Sequence, residues 1–366
     1  MFGNAKEKVG KAVAKYMFFN AIPPNTAKGP YLQNLLNVAA TEGKGISTPS
    51  SKELIGKYLK EEKEELNVYI NGLKRQWPMY GVTLMCDGWT SATRKQLVNF
   101  LTYCDGCAIF FKSVDASTEK RDHKYLYRLM VDMIEEIGPS NVVQVVTDNG
   151  TNFKKAGQKL IDKYSIYWTP CVAHCINLIL KDFGKTRVIE KAVKRARMIT
   201  TFIYNRSGLL AYMRSTDVCG GDLIRPGVTR FATNYIALQS ILDKKAGLKH
   251  MFNSEMWYNH RESDSQLGMK ITETINDPQF WEDVRKSVTL MKPVTKVLRL
   301  VDGDKRPTMG FIYEAMNLMK EAIRDSVRHP QVYLDIIEAR WNDMLLHPLH
   351  EVGKKVYSLF HKCHLQ

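Results

Sequence analysis

Residues 82–89 read VTLMCDGW and form the first of three short runs rich in β-branched and apolar residues. The second run is QLVNFLTYC (96–104), and the third is CAIFFKSVDAS (107–117). Asp105 and Gly106 separate the last two runs, and this dipeptide is typical of the two-residue turn of a β-hairpin. The pattern predicts three strands, the last two of which form a hairpin.

An amphipathic helix is predicted after the third strand. Six apolar residues repeat there at the three-four spacing that lines one helical face: Leu126, Leu129, Met130, Met133, Ile134 and Ile137. Gly138 and Pro139 are expected to end this helix. The next run, NVVQVVTDNG (141–150), is apolar in the way expected of a strand buried on both faces.

Three further elements complete the predicted core. They are a helix over 151–163, the short run SIYWTPC (165–171) and a helix in VAHCINLILKDFG (172–184). The resulting order is β-β-β-α-β-α-β-α. Three antiparallel strands followed by right-handed crossovers give an α/β fold, a mixed sheet with helices on both sides.

The flanking regions show helical patterns. We therefore expect a helical region at 1–80, the α/β core at 81–184 and an all-helical part at 185–366. A chain of 366 residues exceeds the size at which single cores stop growing, which favours more than one domain. The sequence shows no apolar run near the roughly 20 residues needed to cross a bilayer, and its seven scattered cysteines do not suggest a disulfide framework. These features predict an intracellular, soluble protein without a membrane partner.

The charge balance is strongly basic. The chain has 53 Lys and Arg against 38 Asp and Glu, a formal net charge of +15. Such an excess attracts polyanions, of which nucleic acid is the commonest inside cells. The basic stretch KAVKRARM (191–198) offers Lys191, Lys194, Arg195 and Arg197 to a phosphate backbone, although a solvated outer helix face explains the same pattern.

Two acids stand near the ends of predicted strands. We expect Asp87 at the end of the first strand and Asp148 at the end of the fourth. If these strands are adjacent and parallel, both carboxylates meet at one sheet edge, where Mg²⁺ or Mn²⁺ would relieve their repulsion. The alternative is local: Asp87-Gly88 and Asp148-Asn149-Gly150 also favour turns, and Asp148 could cap the helix that begins near residue 151.

Several stretches together resemble the hAT superfamily of transposases, in particular plant transposase-like proteins. The matching stretches, which run from about residue 80 to 316, are YGVTLMCDGWTS, NFLTYC, FFKSVDAS, VVQVVTDNGTNFKKAG, TPCVAHCINLILKDFGK, TRFATNYIALQSIL and KPVTKVLRLVDGDKRPTMGFIYEAM. The resemblance implies a ribonuclease-H-like core interrupted by a helical insertion. It also implies a nuclear protein that binds DNA.

The resemblance assigns roles to particular residues. Asp87 and Asp148 fall on the first two acids of the family's catalytic Asp-Asp-Glu metal site, and Cys171 and His174 fall on its Cys-x-x-His motif near the DNA. Arg230 belongs to the start of the insertion, where Phe231 replaces the Trp that active members more often carry.

The family's third acid, a Glu after the insertion, is not found by this comparison, and the segment before Gln366 resembles an insertion truncated before that Glu. The dimerisation region and the N-terminal zinc finger are also not recognised in the sequence. Two of three ligands would hold Mg²⁺ or Mn²⁺ weakly. The expected protein is thus a catalytically incomplete, domesticated or decaying transposase derivative.

Zinc is a competing interpretation of the cysteines. Cys104 and Cys107 have metal-ligand spacing and would complete four ligands with Cys171 and His174. The Asp-Gly turn explains the hairpin without a metal, so two ordinary thiols are favoured over zinc.

Three functions remain open at this level. The first is a transposase-derived protein that binds DNA, a protein partner or both, with self-association also open and no small-molecule substrate expected. The second is a fragment of an active hAT transposase that performs metal-dependent DNA cleavage and strand transfer. The third is an interaction scaffold whose positive charge is incidental.

Overall fold

The computed structural model describes residues 2–225, 232–303 and 310–345. Contacts divide the chain into two compact units, Met1–Asn71 and Gly72–Gln366. The three-region organisation with boundaries at 80 and 184 is a finer division and stays a prediction. Within the described ranges, the structure contains no helix with the length and apolar character needed to span a bilayer.

The first unit is helical. Its helices are α1 (Phe2–Phe19), α2 (Pro30–Glu42), α3 (Ser51–Glu53) and the greater part of α4 (Leu59–Lys74). A five-residue π-helical turn, Leu54–Tyr58, joins α3 to α4. Ser50 and Glu53 form a capping box at the start of α3.

The second unit contains a five-stranded sheet. Its strands are β1 (Val82–Thr90), β2 (Gln96–Cys104), β3 (Cys107–Asp115), β4 (Val142–Thr147) and β5 (Tyr167–Pro170), and a short helix α5 (Trp77–Tyr80) precedes them. The spatial order is β3-β2-β1-β4-β5. Strands β1 to β3 pair antiparallel, whereas β4 is parallel to both β1 and β5. The predicted mixed α/β sheet is confirmed.

The β2–β3 turn adopts the predicted conformation. Cys104 and Cys107 are paired across the hairpin. Asp105 has φ 44° and Gly106 has φ 81°, and positive φ at both central residues defines a type I′ turn. The Asp-Gly dipeptide was therefore a reliable signal, since these residues reach left-handed backbone conformations at low cost.

Helices flank the sheet as the periodicity predicted. They are α6 (His123–Ile137), α7 (Thr151–Lys163) and α8 (Val172–Phe183). Five of the six apolar residues predicted for the inner face of α6 are buried, and Leu129 is half-buried. The helix ends at Gly138, which has φ 94°. Asp122 caps its start by accepting hydrogen bonds from the backbone N–H groups of Lys124 and Tyr125.

The remainder of the second unit is helical. Its α-helices are α9 (Arg187–Tyr204), α10 (Ser207–Arg214), α11 (Ala232–Asp243), α12 (Lys245–Phe252), α13 (Glu255–Tyr258), α14 (Gln266–Asn276), α15 (Pro278–Val301), α16 (Ile312–Ser326) and α17 (Gln331–Arg340). The 24-residue helix α15 contributes to two hydrophobic clusters. Phe280 and Trp281 at its start pack with α9, α10 and α12, whereas Met291 and Val294 pack with α8, α16 and α17.

Candidate functional site

The two acids singled out in the sequence lie where the parallel pairing of β1 with β4 ends. The last pair of this ladder is Cys86 and Thr147, and Asp87 and Asp148 are the next residues along the chain. Neighbouring strands lie about 4.8 Å apart, so this register brings the two backbones side by side. The predicted juxtaposition on adjacent parallel strands therefore occurs.

Asp87 lies within β1, not at its end as the sequence suggested. The strand continues to Thr90, and Asp87 is paired with Asn99 of β2. Side chains alternate along the strand, so Leu84 and Cys86 are buried whereas Asp87 is exposed. The local-turn interpretation is wrong for Asp87, and the carboxylate avoids the cost of burial by facing solvent.

Asp148 forms the local turn that the sequence suggested, but it does not cap the next helix. Its Oδ1 accepts a hydrogen bond of 2.6 Å from the backbone N–H of Gly150. Gly150, not Asp148, occupies the N-cap position of α7. The carboxylate is half-buried, and the turn fixes one of its two oxygens beside the sheet edge.

A polar chain supports the backbone of Asp148. The Thr147 hydroxyl donates to the Asp148 carbonyl oxygen over 2.7 Å. The indole Nε1–H of Trp168 on β5 donates to the same hydroxyl over 3.2 Å. The position of Asp148 thus depends on the packing of Trp168 between β4 and α7.

Both carboxylates line a cleft of about 650 Å³. Its floor comes from the sheet edge, and its walls come from α8, α11 and α15. The lining side chains that carry polar groups are Asp87, Thr147, Asp148, Cys171, His174, Asn177, Thr233, Thr295, Arg299 and Asp302. Residues far apart in the sequence therefore converge on one concave surface, as expected of a binding site.

Two thiols beside the cleft, the buried Cys86 and the half-buried Cys171, lie within the electrostatic influence of its acids. Burial raises the pKa of Cys86, and the charges of Asp148 and Asp87 raise it further. Burial also raises the pKa of Cys171, where backbone N–H groups at the start of α8 oppose the shift and the charges of Asp87 and Asp302 add to it. The negative field of the cleft therefore includes Asp302 at the end of α15.

The Cys-x-x-His motif lies at this cleft. Cys171 is the N-cap residue of α8, and His174 is exposed in the first helical turn. Asn177 follows one turn later, and its Oδ1 is buried without a hydrogen-bond partner among the described residues. Its amide nitrogen donates to the Ala173 carbonyl oxygen over 3.2 Å.

The four candidate zinc ligands do not come together. Cys104 and Cys107 lie at the β2–β3 turn, beside the start of β1, whereas Cys171 and His174 follow the end of β5. These positions are at opposite ends of the sheet. Across the described ranges, no three His, Cys, Asp or Glu side chains are close enough to hold one metal ion.

The predicted basic helix is α9, and two of its four cations are engaged within the fold. Lys191 is 3.6 Å from Asp283, and Arg195 is 2.7 Å from Asp277. The Arg195 guanidinium also lies 5.0 Å from the ring centroid of Phe280. Lys191 and Arg195 therefore attach α9 to α15, a role that neither sequence interpretation included.

The remaining predicted DNA contacts have different outcomes. Lys194 and Arg197 are exposed on α9 and retain the predicted role as a prediction. Arg230 falls outside the described residues.

The sequence did not predict several polar residues of the cleft, among them Asn177, Arg299 and Asp302. A partial signal existed for Asn177, because its three-residue spacing from His174 places both on one side of α8. No local pattern marked Arg299 and Asp302, which lie near the end of α15 and meet the sheet edge only in the folded chain.

Comparison with known families supports the resemblance at a coarse level. Residues 49–199 match a family described as a domain of unknown function, DUF659, which is found in plant hAT-like and transposase-related proteins. The match includes Asp87, Asp148, Cys171 and His174 and covers somewhat less than half of the chain. No curated protein matches the chain.

Proposed function

We propose that this chain is a transposase-derived nuclear protein that binds DNA at the sheet-edge cleft and that its ribonuclease-H-like core is catalytically incomplete. The observation that carries the proposal is the convergence of Asp87 and Asp148 on one cleft. The transposase-related family match over the same residues supports the proposal, as does the net charge of +15.

The donor set of the cleft fits Mg²⁺ or Mn²⁺ as a weakly held ion. Asp87 is exposed, and one oxygen of Asp148 is occupied by the Gly150 N–H. Mg²⁺ is commonly held by one or two carboxylates together with water and substrate phosphates. When bound, the ion would neutralise charge between the carboxylates and a DNA phosphate.

Other residues of the cleft are suited to a phosphate backbone. Arg299 on α15 carries a permanent positive charge, and His174 on α8 is exposed. Guanidinium and imidazole groups commonly donate hydrogen bonds to phosphate oxygens. These contacts would orient a strand along the cleft without reading its bases.

Mn²⁺ binding, measured by electron paramagnetic resonance with and without duplex DNA, tests the proposal. We expect weak binding that tightens severalfold when DNA is present, since a phosphate would complete the coordination. Asp87→Asn and Asp148→Asn should remove this enhancement. Asp162→Asn, an exposed carboxylate at the far end of α7, is the matched control and should behave as wild type.

A plasmid assay with Mg²⁺ or Mn²⁺ separates the proposal from its alternatives. The proposal predicts binding without nicking or strand transfer. Nicking that disappears in Asp87→Asn would contradict catalytic incompleteness and favour an active hAT transposase. A wild-type protein that shows no salt-sensitive DNA binding would refute the DNA proposal and favour the interaction scaffold.

A further inference from the structure

A second concave surface lies between α12 and the start of α15, apart from the acidic cleft. It has a volume of about 390 Å³ and is lined by Lys245, Lys249, Pro278, Gln279, Trp281, Glu282 and Arg285. We name it the α12–α15 groove. Its polar lining is mostly cationic, in contrast to the carboxylates of the sheet-edge cleft.

Two lysines of this groove lack a counter-ion. Lys245 and Lys249 are half-buried and one turn apart on α12, so their side chains share a face. Within the described ranges, neither ammonium has a carboxylate oxygen within 4 Å. Glu282, the carboxylate in the groove lining, is already bound by Arg285 at 2.8 Å and Lys286 at 3.5 Å. The groove therefore carries a net positive charge.

A buried aromatic side chain forms one wall of the groove. The Lys245 ammonium lies 5.3 Å from the ring centroid of Trp281, whose exposed fraction is 1%. The Trp281 indole N–H donates to the Ile275 carbonyl oxygen over 2.7 Å, which fixes the ring. A low-dielectric wall strengthens the attraction between the lysines and an anion. The buried ring offers no free face on which a base could stack.

We propose that the α12–α15 groove binds the phosphodiester backbone of nucleic acid through Lys245 and Lys249. Lysine binds phosphate as a point charge, and two lysines one turn apart can contact one phosphate or two successive phosphates. Because the two lysines contact phosphates and not base edges, the contact is independent of base sequence. This inference rests on the proposed DNA binding and adds to it a second contact surface in the helical part.

The pairing of charges around α9 favours α12 as the site of the phosphate contact. The sequence directed attention to Lys191 and Arg195, but these cations are paired with carboxylates of the α15 region. The lysines of α12 are not paired in this way, and they lie in a groove instead of on a convex face. Phosphate binding is therefore expected at α12 more than at the paired positions of α9.

Salt-dependent binding of the full chain to a random-sequence duplex of 20 base pairs, followed by fluorescence anisotropy, tests this inference. The double variant Lys245→Gln/Lys249→Gln removes two contacts, so the slope of log K against log salt should fall by about 1.8. Wild type should then lose about 12-fold more affinity than the variant when salt rises fourfold. Lys245→Arg/Lys249→Arg should retain the wild-type slope, because it retains the charges.

The matched control is Lys155→Gln/Lys159→Gln, which removes the same charge from exposed residues one turn apart on α7. It should leave the slope within about 0.5 of wild type. An equal loss in both pairs would show that only net charge matters, and a wild-type slope in the α12 variant would show that the groove makes no contact. Either result overturns the inference while leaving DNA binding in place. Absence of wild-type binding would instead overturn the proposed function, and this inference with it.

Discussion

Gly157→Ala is expected to destabilise the second unit by about 2 kcal/mol, although alanine is the better helix former. Gly157 lies on the buried face of α7 against the indole of Trp168. A Cβ at this position would stand 2.4 Å from Trp168 Cδ1 and Nε1 and 2.5 Å from Cδ2. Carbon atoms pack best at about 3.5–4.0 Å, so the ring or the helix must move.

The size of the effect follows from two opposing contributions. Overpacking a buried site costs about 1–3 kcal/mol, and the short distances to a rigid ring place this site at the upper end. Alanine in a helix interior is favoured over glycine by about 1 kcal/mol. The remaining loss of about 2 kcal/mol corresponds to a decrease of roughly 3 °C in Tm for the unit Gly72–Gln366, at about 2.1 cal/mol/K of unfolding entropy per residue.

Thermal unfolding followed by circular dichroism measures this loss. Gly208→Ala is the control, since a Cβ at that exposed helical position meets no atom within 4 Å, and its Tm should equal or slightly exceed that of wild type. Adding Trp168→Leu should remove most of the penalty specific to Gly157→Ala, measured against Trp168→Leu alone. A Gly157→Ala protein as stable as wild type would refute the packing argument.

Two further predictions concern ion pairs. Burial disfavours the Asp182 carboxylate, but hydrogen bonds from Lys185 and Arg340 outweigh that effect and lower its pKa. The resulting stabilisation is complete above about pH 4 and is lost as the pH falls through the folded pKa. Asp182→Asn should therefore lower the Tm at pH 7. The Tm of this variant should also decrease less than that of wild type when the pH is lowered to about 3. Parallel Tm–pH curves for the variant and wild type would contradict this. The second prediction concerns Arg195, which pairs with Asp277, the residue that caps α15. Arg195→Ala should lower the free energy of unfolding by about 1–3 kcal/mol because Asp277 loses this partner, whereas Arg197→Ala at an exposed position should lower it by less than about 0.5 kcal/mol. Equal Tm values for these two variants would show that the pair does not stabilise the fold.

Features specified by neighbouring residues could be predicted from the sequence. The Asp105-Gly106 turn is an example, because the conformation it needs depends on those two residues. The helix over 151–163 is another, because one buried face specified it. Even the juxtaposition of Asp87 and Asp148 required only that their strands be adjacent and parallel.

Features that depend on distant partners could not be predicted. The period of α9 showed which of its residues were polar but not that Arg195 would meet Asp277, 82 positions later in the sequence. Gly157 looks like a weak point in a helix until Trp168 is seen against it. The position of Asp302 in the cleft could not be predicted either. It depends on how α15 packs across the unit, which the local sequence pattern does not specify.

The two proposed contact surfaces differ in their electrostatics. Carboxylates at the sheet edge repel a phosphodiester unless a cation lies between them, and Arg299 is opposed there by Asp87, Asp148 and Asp302. The cleft alone therefore contributes little affinity in the absence of a divalent ion. The uncompensated lysines of the α12–α15 groove would supply attraction that needs no metal. Under the proposed function, attraction to the DNA backbone resides in the groove and the weak metal site resides in the cleft, so we expect DNA binding to persist when no divalent ion is bound.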